Sequence, residues 1–448
     1  MVDKNSNLLP TIFVIFGATG DLMKKKLAVS LFKLHEKGLL PKLFQVVGFS
    51  KQELTNEQFR QMVEDMILAK GQAEPKKVKE FTRYFLYQQG LFEEPEGFKK
   101  LAESLGRKDN EWRVCSNKLF YIAASPQFYK ILFHQLAVSG LCEPCSPEEG
   151  WTRVIVEKPF GKDLKTAQEL DRMLGKLFKE EQIYRIDHYL GKETVQNILA
   201  FRFSNSFLQD SWNKKAVESI HIDLLEKEGI GGRGGFYEGI GALRDVGQNH
   251  MLQLLALFAM ENPGSFDGGA IRAKRGEIMR SLKLYSAQEI ATMTMRGQYE
   301  GYRKEKNVDP NSKTETYFKI KAYLDTPRWE GVPIYLESGK AMEEDRVEVR
   351  VVFRGKHYQN VLHYRIQPNE GIEIRFWVKK PGPKMVLEEK SFRFNYKEAF
   401  GVDETEEAYE KLLLSAIQGD QTLFVSTDEI TASWKFIDSV MRGWEEND

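Results

Sequence analysis

Short apolar runs alternate with amphipathic segments along the first part of the chain. Four apolar runs predict buried strands, at Thr11–Phe16, Phe44–Phe49, Lys118–Ala123 and Arg153–Val156. Between the first two, Lys24–Lys37 predicts a helix with one apolar face, ended by Gly38. Thr55 to Gln58 has the pattern of a capping box that opens another helix. Strands alternating with helices in this way predict a Rossmann-like, doubly wound parallel sheet.

The pattern changes character about midway along the chain. Val347–Phe353, Val361–Gln367 and Ile372–Lys379 read as consecutive strands, and turn residues separate the last two. Closely spaced strands of this kind form antiparallel hairpins. We therefore expect two domains with a boundary near Gly191–Asn197: residues 1–193 as an α/β dinucleotide-binding domain, and residues 194–448 as a larger α+β domain with a mostly antiparallel sheet.

Composition limits the partners that the chain can bind. The 448 residues carry 65 Lys+Arg against 65 Asp+Glu, so a globally basic nucleic-acid binder is disfavoured. The longest apolar runs fall far short of the roughly 20 residues that a bilayer span requires. Residues 1–10 are polar and lack the order of a signal peptide. We expect neither a nucleic-acid nor a membrane partner, and any charged ligand must be bound by a local cluster.

Three cysteines occur: Cys115, Cys142 and Cys145. An odd number in a chain of this length excludes a disulfide scaffold and favours a reducing, cytoplasmic location. Cys142 and Cys145 form a single CxxC motif with no second pair, which is half of a typical zinc site. We therefore expect no metal centre.

The first candidate site lies at the turn between the first strand and the first helix. Small residues here let the backbone approach a pyrophosphate, and the helix N-terminus offers free N–H groups. The candidate residues are Gly17, Ala18, Thr19, Gly20, Asp21 and Leu22. The spacing is G-x-x-G, so an ordinary tight turn remains an alternative to dinucleotide binding.

The end of the second strand bears on the choice of coenzyme. An acid there binds the ribose 2′-OH of NAD, whereas a basic residue accommodates the 2′-phosphate of NADP. This strand ends in Ser50 and Lys51, with no acid, so NADP is favoured. Lysine lacks the planar fork of arginine, which leaves use of NAD open. Alternatively, Lys51 is a loop lysine that contacts only solvent and does not bind the coenzyme.

The second candidate site is the segment Arg185–Glu193, which places an acid, an imidazole, a phenol and a lysine together. On chemistry alone it is an anion-binding cluster. Together with Glu157–Gly161 upstream and Arg244–His250 downstream, it closely resembles the glucose-6-phosphate dehydrogenase family. Matching blocks continue in order to about Trp434, so the resemblance covers nearly the whole chain.

The resemblance implies a role for each matched residue. His250 falls at the position of the general base, and Asp187 at that of the carboxylate that orients it. The implied substrate ligands are His188, Tyr189 and Lys192 for the phosphate, and Glu226, Asp245 and Lys340 for the sugar hydroxyls. Lys158 matches a lysine that contacts both substrate and coenzyme. Pro159 matches a position that often follows a cis peptide bond, and Tyr121 matches a tyrosine on the coenzyme side.

The implied reaction is oxidation of glucose 6-phosphate at C1, with hydride transfer to NADP. A base must remove the hydroxyl proton as hydride leaves, and imidazole titrates near working pH. The resemblance also implies a homodimer or homotetramer. A catalytically silent nucleotide-sensing protein is the alternative from another class, but the presence of both His250 and Lys192 disfavours it.

Several residues depart from the family pattern. Met23 replaces a small residue, so we expect looser packing of the first helix. Gly247 replaces a bulky apolar residue, which lowers helix stability at this position by about 1 kcal/mol. Asp345 stands where a second basic substrate residue is usual, which leaves open whether Arg346 substitutes for it. Without the family pattern, we would interpret His250 as a core histidine, because an apolar helical segment follows it directly.

Overall fold

The computed structural model describes residues 9–71, 73–144, 150–401 and 408–447. The first part of the chain builds a parallel sheet in the order β3-β2-β1-β4-β5-β6. Its strands are β1 (Thr11–Phe16), β2 (Phe44–Ser50), β3 (Phe85–Gln89), β4 (Asn117–Ile122), β5 (Thr152–Val156) and β6 (Ile183–Ile186). The order reverses between β1 and β4, and ligands of doubly wound sheets bind beyond the carboxyl ends of the strands at such a point.

Helices connect these parallel strands. They are α1 (Ala28–Glu36), α2 (Asn56–Leu68), α3 (Pro75–Thr82), α4 (Pro95–Trp112), α5 (Tyr129–Val138) and α6 (Leu164–Leu174). Every residue of β1 is buried, as expected for a central strand of a parallel sheet. Thr55 caps α2, and its side chain and that of Gln58 form the predicted capping box.

The second part builds a larger sheet backed by helices. Its strands are β7 (Val217–Leu225), β8 (Thr294–Gly297), β9 (Tyr317–Ala322), β10 (Ile334–Gly339), β11 (Arg346–Phe353), β12 (Val361–Gln367), β13 (Gly371–Lys379) and β14 (Leu387–Asn395). They lie in the order β14-β13-β12-β11-β7-β10-β9-β8, antiparallel except for the pair β7 and β10.

The helices of this part surround a wholly buried one. They are α7 (Glu193–Phe203), α8 (Ser206–Gln209), α9 (Gly234–Tyr237), α10 (Leu252–Ala259), α11 (Gly268–Arg280), α12 (Ala287–Met293), α13 (Tyr396–Phe400) and α14 (Ala408–Gln418). All residues of α10 are buried. Its last carbonyls accept bonds from two buried indoles, Trp212 to Phe258 O and Trp329 to Ala259 O, each at 2.7 Å. The core of the second part therefore sits between α10 and the sheet.

The C-terminal segment returns to the first sheet. Strand β15 (Phe424–Val425) pairs antiparallel with β6, and α15 (Thr427–Glu446) follows it. The first sheet is thus completed by residues far beyond position 193. The division at residues 193 and 194 stays a prediction, whereas the two sheets and their strand directions are those expected.

The helix predicted over Lys24–Lys37 is present, but its first turn has a different hydrogen-bond pattern. Met23–Leu27 forms a π-helical turn that leads into α1, because the hydrogen-bond offset of a turn is set by packing that periodicity does not report. Met23 is fully buried, and the looser packing expected at this position stays a prediction. Gly38 ends the helix at a φ of 64°, as the sequence predicts.

Cys142 is a free, buried thiol, and burial raises its pKa to about 12. Cys145 lies outside the described residues, so the CxxC motif is not described as a unit. Cys115 is disulfide-bonded, which removes cysteine chemistry as support for a reducing compartment. Among the described helices, each is too short or too polar to cross a bilayer.

Candidate active site

The turn after β1 has the backbone geometry of a close-approach site. Gly17 has a φ of 87°, and a Cβ there would lie 2.5 Å from the carbonyl oxygen of Ala123. Gly20 N donates to Gly17 O at 2.9 Å and closes the turn. No side chain other than hydrogen fits at position 17, so the backbone lies open beside Ala18 and Thr19 at the reversal of the sheet order.

The end of β2 meets this turn. Thr19 Oγ1 and Ser50 Oγ share a hydrogen bond of 2.8 Å, which joins the two candidate coenzyme segments. Lys51 follows Ser50 and is exposed, as are Gly20 and Asp21, while Leu22 is half-buried. The structure therefore brings the residues predicted to hold a dinucleotide to one edge of the sheet.

The segment after β6 folds around Asp187. Asp187 caps a short 3₁₀ turn, His188–Gly191, and its Oδ1 accepts the backbone N–H of Tyr189 at 3.0 Å. Gly191 ends the turn, and a Cβ there would lie 2.8 Å from the carbonyl oxygen of Ala408. The turn is thereby held between β6 and α14.

His250 meets Asp187 from the other part of the chain. It lies in a π-helix, Leu243–Met251, directly before α10. Its Nδ1 is 2.5 Å from Asp187 Oδ1, and the other carboxylate oxygen of Asp187 is buried without a hydrogen-bond partner. The ring is stacked on Tyr189 at 4.2 Å and meets His188 edge-on at 4.7 Å. The predicted pairing across the fold is present.

Lys158 fixes the tautomer of His250. Its Nζ lies 3.0 Å from His250 Nε2, and an ammonium can only donate, so Nε2 is the acceptor. Nδ1 must then carry the proton that Asp187 accepts. Both ring nitrogens of His250 are therefore used, and Asp187, His188 and His250 lie within 4.8 Å of one another. The pairing of His250 with Asp187 is that of an acid–base site.

Burial and neighbouring charges shift the pKa values of both Asp187 and His250. Burial alone would raise the pKa of Asp187, but attraction and a hydrogen bond from His250 outweigh it and lower that pKa to about 2. Burial, with help from the Lys158 ammonium, lowers the pKa of His250 in spite of Asp187. Near neutral pH the pair is therefore a carboxylate beside a neutral imidazole, which can accept a proton at Nε2.

A polar cluster extends from Lys158 toward the second sheet. Lys158 Nζ is 3.6 Å from Asp245 Oδ1, and Lys340 Nζ is 4.0 Å from Asp245 Oδ2. Lys340 also bonds to Glu226, and Glu226 N donates to Gly339 O at the end of β10. The two carboxylates and two lysines can offer acceptors and donors to a polyhydroxylated ligand.

An open cleft of about 690 Å³ joins the two candidate sites. Its lining includes Asp21 and Leu22 from the turn after β1, and His188 and Lys192 from the turn after β6. Lys192 Nζ bonds to the side chain of Gln367 and lies 5.2 Å from the centre of the Tyr189 ring. The cleft is lined by cations where a phosphate is expected.

Burial shapes the protonation of His188. It lowers the pKa of this imidazole to about 3, and the neighbouring His250, Lys158 and Lys192 act in the same direction against Asp187. His188 is therefore neutral near pH 7 and can donate one N–H to an anion.

Tyr121, the coenzyme-side tyrosine that the resemblance implies, lies inside the first sheet. It is fully buried, and its hydroxyl donates to Glu157 Oε1 at 2.5 Å. Tyr409 of α14 bonds to the same oxygen at 3.1 Å. Glu157, Tyr409 and Gln367 were not among the predicted site residues. Glu157 and Gln367 lie in sequence blocks that carry the family resemblance, whereas nothing in the local sequence marks Tyr409.

The structure describes the surroundings of two residues that depart from the family pattern, Arg346 and Gly247. Arg346 pairs with Asp223 at 3.3 Å and Glu344 at 2.7 Å, so its described ion pairs are with residues outside the predicted substrate site. Gly247 has a packing reason, because a Cβ there would lie 2.8 Å from Leu243 Cδ1 and 3.1 Å from Phe318 Cζ. The peptide bond between Lys158 and Pro159 is cis.

Comparison with known proteins agrees with this geometry. Residues 14–197 match the family model described as glucose-6-phosphate dehydrogenase, NAD binding domain, and residues 199–448 match the C-terminal domain of the same family. A glucose-6-phosphate 1-dehydrogenase of Chlamydia muridarum is 37% identical over 463 residues, which covers 97% of this chain and 90% of the relative.

Solved structures give the same result. A glucose-6-phosphate dehydrogenase in complex with glucose-6-phosphate superposes with a TM-score of 0.90 at 36% identity, covering 98% of this chain and 92% of the other. The glucose-6-phosphate 1-dehydrogenase of Mycobacterium avium superposes with a TM-score of 0.84 at 30% identity, covering 97% and 92%.

The dinucleotide-type sheet and the acid–base pair beside a cationic cleft define a nicotinamide-dependent oxidoreductase. Since both family models match and together span nearly the whole chain, the protein belongs to the glucose-6-phosphate dehydrogenase family.

Proposed function

We propose that this protein oxidises glucose 6-phosphate at C1 to 6-phosphogluconolactone, the first oxidative step of the pentose phosphate pathway, with NADP as hydride acceptor. The observation that carries the proposal is the chain of contacts from Asp187 through His250 to Lys158, placed at one end of a cleft lined by Lys192 and His188. Family membership and a relative solved with glucose-6-phosphate support the choice of substrate.

His250 is the proposed general base. With its Nδ1 proton donated to Asp187, Nε2 presents the lone pair that accepts the proton of the C1 hydroxyl as hydride leaves C1. Asp187 then faces an imidazolium and stabilises it without taking the proton, because its own pKa is near 2. The C1 hydroxyl replaces Lys158 as the hydrogen-bond donor to Nε2.

The phosphate end is assigned to the turn after β6. His188, Tyr189 and Lys192 are donors in one turn, and a dianion between them makes charge-assisted hydrogen bonds. A bound phosphate dianion raises the pKa of His188, which burial and then the neighbouring His250, Lys158 and Lys192 now lower. Gln367 orients the Lys192 ammonium toward the cleft.

The sugar end is assigned to the cluster of Glu226, Asp245, Lys340 and Lys158. Carboxylate oxygens accept hydrogen bonds from ring hydroxyls, and the two ammonium groups donate to the remaining lone pairs. A substrate held at both ends presents C1 to His250 in a fixed orientation, which lowers the entropic part of the barrier.

The residues around the turn after β1 fit a dinucleotide. A Cβ at Gly17 would collide with the carbonyl oxygen of Ala123, and a hydrogen bond between Thr19 and Ser50 joins this turn to the end of β2. Ala18, Gly20, Asp21 and Leu22 complete the proposed coenzyme segment. When bound, the nicotinamide accepts the hydride, and the protein supplies orientation. The exposed Lys51 and the lack of an acid at the end of β2 support NADP over NAD.

We also propose a cytoplasmic homo-oligomer, with a dimer as the smallest form and a tetramer as the alternative. Strand β14 is an edge strand whose Phe392 is 68% exposed and stacked on Phe376 at 4.2 Å. An exposed aromatic pair on a sheet edge is typical of a contact surface. Light scattering of the purified protein measures the number of subunits.

One assay tests the proposed reaction and its coenzyme. Purified protein is mixed with glucose 6-phosphate and either NADP or NAD, and reduced coenzyme is followed by absorbance. We expect turnover with NADP at a higher kcat/KM than with NAD. Comparable values would favour a dual-coenzyme hexose-phosphate dehydrogenase, and no turnover with either coenzyme would make the proposed function wrong.

A further inference from the structure

Glu157 lies directly before Lys158 and is held from three sides by tyrosine hydroxyls. Its Oε1 accepts from Tyr121 of β4 at 2.5 Å and from Tyr409 of α14 at 3.1 Å. Its backbone carbonyl accepts from Tyr129 of α5 at 3.0 Å. Three elements, β4, α5 and α14, thus converge on one residue, and Tyr409 of α14 also lines the cleft.

The carboxylate of Glu157 has no ion pair with a lysine or arginine among the described residues, so these hydroxyls replace solvent for it. Burial raises the pKa of Glu157, while the two phenol bonds and the Lys158 charge act against that rise. Burial also raises the pKa of Tyr121 and of Tyr129, so both remain protonated donors. The bonds therefore run from phenol to carboxylate, and they favour a negative charge at Glu157.

That charge lies next to the ammonium that contacts the base. Lys158 Nζ donates to Asp245 O at 3.2 Å and to His250 Nε2 at 3.0 Å. A lysine side chain has four rotatable bonds and loses much entropy when it is fixed, so its position needs support from its own backbone and from a nearby opposite charge. Glu157 supplies the backbone support, because its carbonyl and its carboxylate are separately anchored, and its charge acts on Lys158 from beyond ion-pair distance.

We propose that Tyr121, Glu157 and Tyr409 form a positioning network that holds Lys158 at the working distance from His250. The inference rests on the proposed function, since Lys158 belongs to the proposed substrate site. Tyr409 makes the network depend on α14. The next residue of that helix, Glu410, is buried and pairs with Lys33 and Lys37 of α1 at 3.4 and 2.9 Å, which docks α14 on the first sheet's helices.

The test compares Tyr409→Phe and Glu157→Gln with a matched control, Tyr317→Phe. Tyr317 donates to Glu337 at 2.9 Å in the second sheet, so its variant also loses one tyrosine–glutamate bond. We expect kcat for glucose 6-phosphate to fall roughly tenfold in both network variants, with KM changed less than about twofold, because orientation and not affinity is lost.

The pH profile separates positioning from loss of fold. Weakening the negative charge at Glu157 leaves the Lys158 ammonium as the stronger field at His250, which lowers the pKa of that imidazole further. The acid limb of kcat/KM should therefore move to lower pH by about half a unit in both network variants and stay in place in Tyr317→Phe. A fall in kcat without this movement would overturn the proposal.

A second measurement needs no turnover. Trace acetylation with acetic anhydride, read by peptide mass spectrometry, compares the reactivity of Lys158 with that of the exposed Lys99 in the same molecule. Release of Lys158 from its contacts with His250 and Asp245 should raise its relative reactivity at least about threefold in both network variants, since a less tightly held amine is more available to the reagent. Unchanged reactivity would overturn the network even if the wild-type protein oxidised the sugar phosphate. Raised reactivity would support the network even if it did not.

Discussion

At the residue scale, the site depends on one imidazole whose two nitrogens have different partners. Asp187 and Lys158 assign the tautomer of His250, and the stacked Tyr189 ring fixes its plane. Asn at position 250 retains a hydrogen-bonding amide but has no basic lone pair.

We predict that His250→Asn lowers kcat by at least about two orders of magnitude and leaves the KM for glucose 6-phosphate nearly unchanged. The exposed His134 provides the control variant His134→Asn. Steady-state kinetics at saturating coenzyme make the comparison. Near-normal turnover in His250→Asn would remove this residue as the base.

The protonation of His250 also predicts a pH dependence. Because the pKa of this group lies below 6.5, the imidazole stays neutral until the pH falls under that value, and activity is lost only on further acidification. The acid limb of kcat/KM in the wild-type protein should therefore have its midpoint below pH 6.5. A midpoint above 6.5 would contradict the arrangement of charges around the ring.

We expect Lys51 to determine the preference for NADP over NAD. Replacing it by Asp in Lys51→Asp puts a carboxylate where a 2′-phosphate would bind, so kcat/KM with NADP should fall at least about tenfold and NAD should become the better coenzyme. Lys70→Asp makes the same change of charge at an exposed position two residues after the end of α2. An unchanged ratio of the two specificity constants would show that Lys51 does not contact the coenzyme.

At the element scale, the strands were predictable and the helices that carry the chemistry were not. Strand β1 has the predicted bounds, β2 and β5 are each one residue longer at one end, and β4 is shifted by one residue at both ends. The agreement is close because buried parallel strands are continuous apolar runs. The turns at Met23–Leu27 and Leu243–Met251 are π-helical, and their hydrogen-bond offset depends on neighbours such as Phe318 that are remote in sequence.

In the candidate site, too, contacts between distant parts of the chain could not be predicted from the sequence. Motif spacing brought out Asp187, His250 and Lys158, since all three lie in sequence blocks of a known family. Tyr409 joins the site only because α14 packs across Gly191, and Gln367 only because β12 ends beside Lys192. Contacts made by the packing of distant elements leave no local signal in the sequence.

The turn after β1 gives a prediction at this scale. Gly17→Ala places a methyl group 2.5 Å from a backbone oxygen at a φ of 87°, whereas Gly38→Ala at a φ of 64° meets no atom within 4 Å. We expect Gly38→Ala to cost about 1 kcal/mol and Gly17→Ala at least about twice that, with loss of coenzyme affinity. Urea unfolding and coenzyme titration measure the two effects, and equal costs would contradict the close approach.

At the scale of the whole molecule, a buried guanidinium joins the two parts of the chain. Arg185 of β6 is 2% exposed and contacts Asp171 of α6 at 2.5 Å, Glu180 at 2.9 Å and Thr427 of α15 at 2.9 Å. Arg272 of α11 bonds to the same Glu180. The network anchors the C-terminal helix to the first sheet.

We predict that Arg185→Leu lowers the free energy of unfolding by about 3 kcal/mol, because it leaves two carboxylates without their buried partner. Arg280→Leu breaks the exposed pair with Asp428 and should cost less than about 1 kcal/mol. The midpoint of urea unfolding reports both changes. Similar shifts in the two variants would show that Arg185 is not a structural anchor.

The return of the chain to the first sheet has a consequence for biosynthesis. During translation β6 emerges long before Phe424 and Val425, which pair with it. At typical ribosomal rates this interval is on the order of 10 s or more, and throughout it the outer edge of β6 has unpaired N–H and C=O groups. A nascent or truncated first domain therefore presents an open strand to other chains, and its protection depends on synthesis reaching the C-terminus.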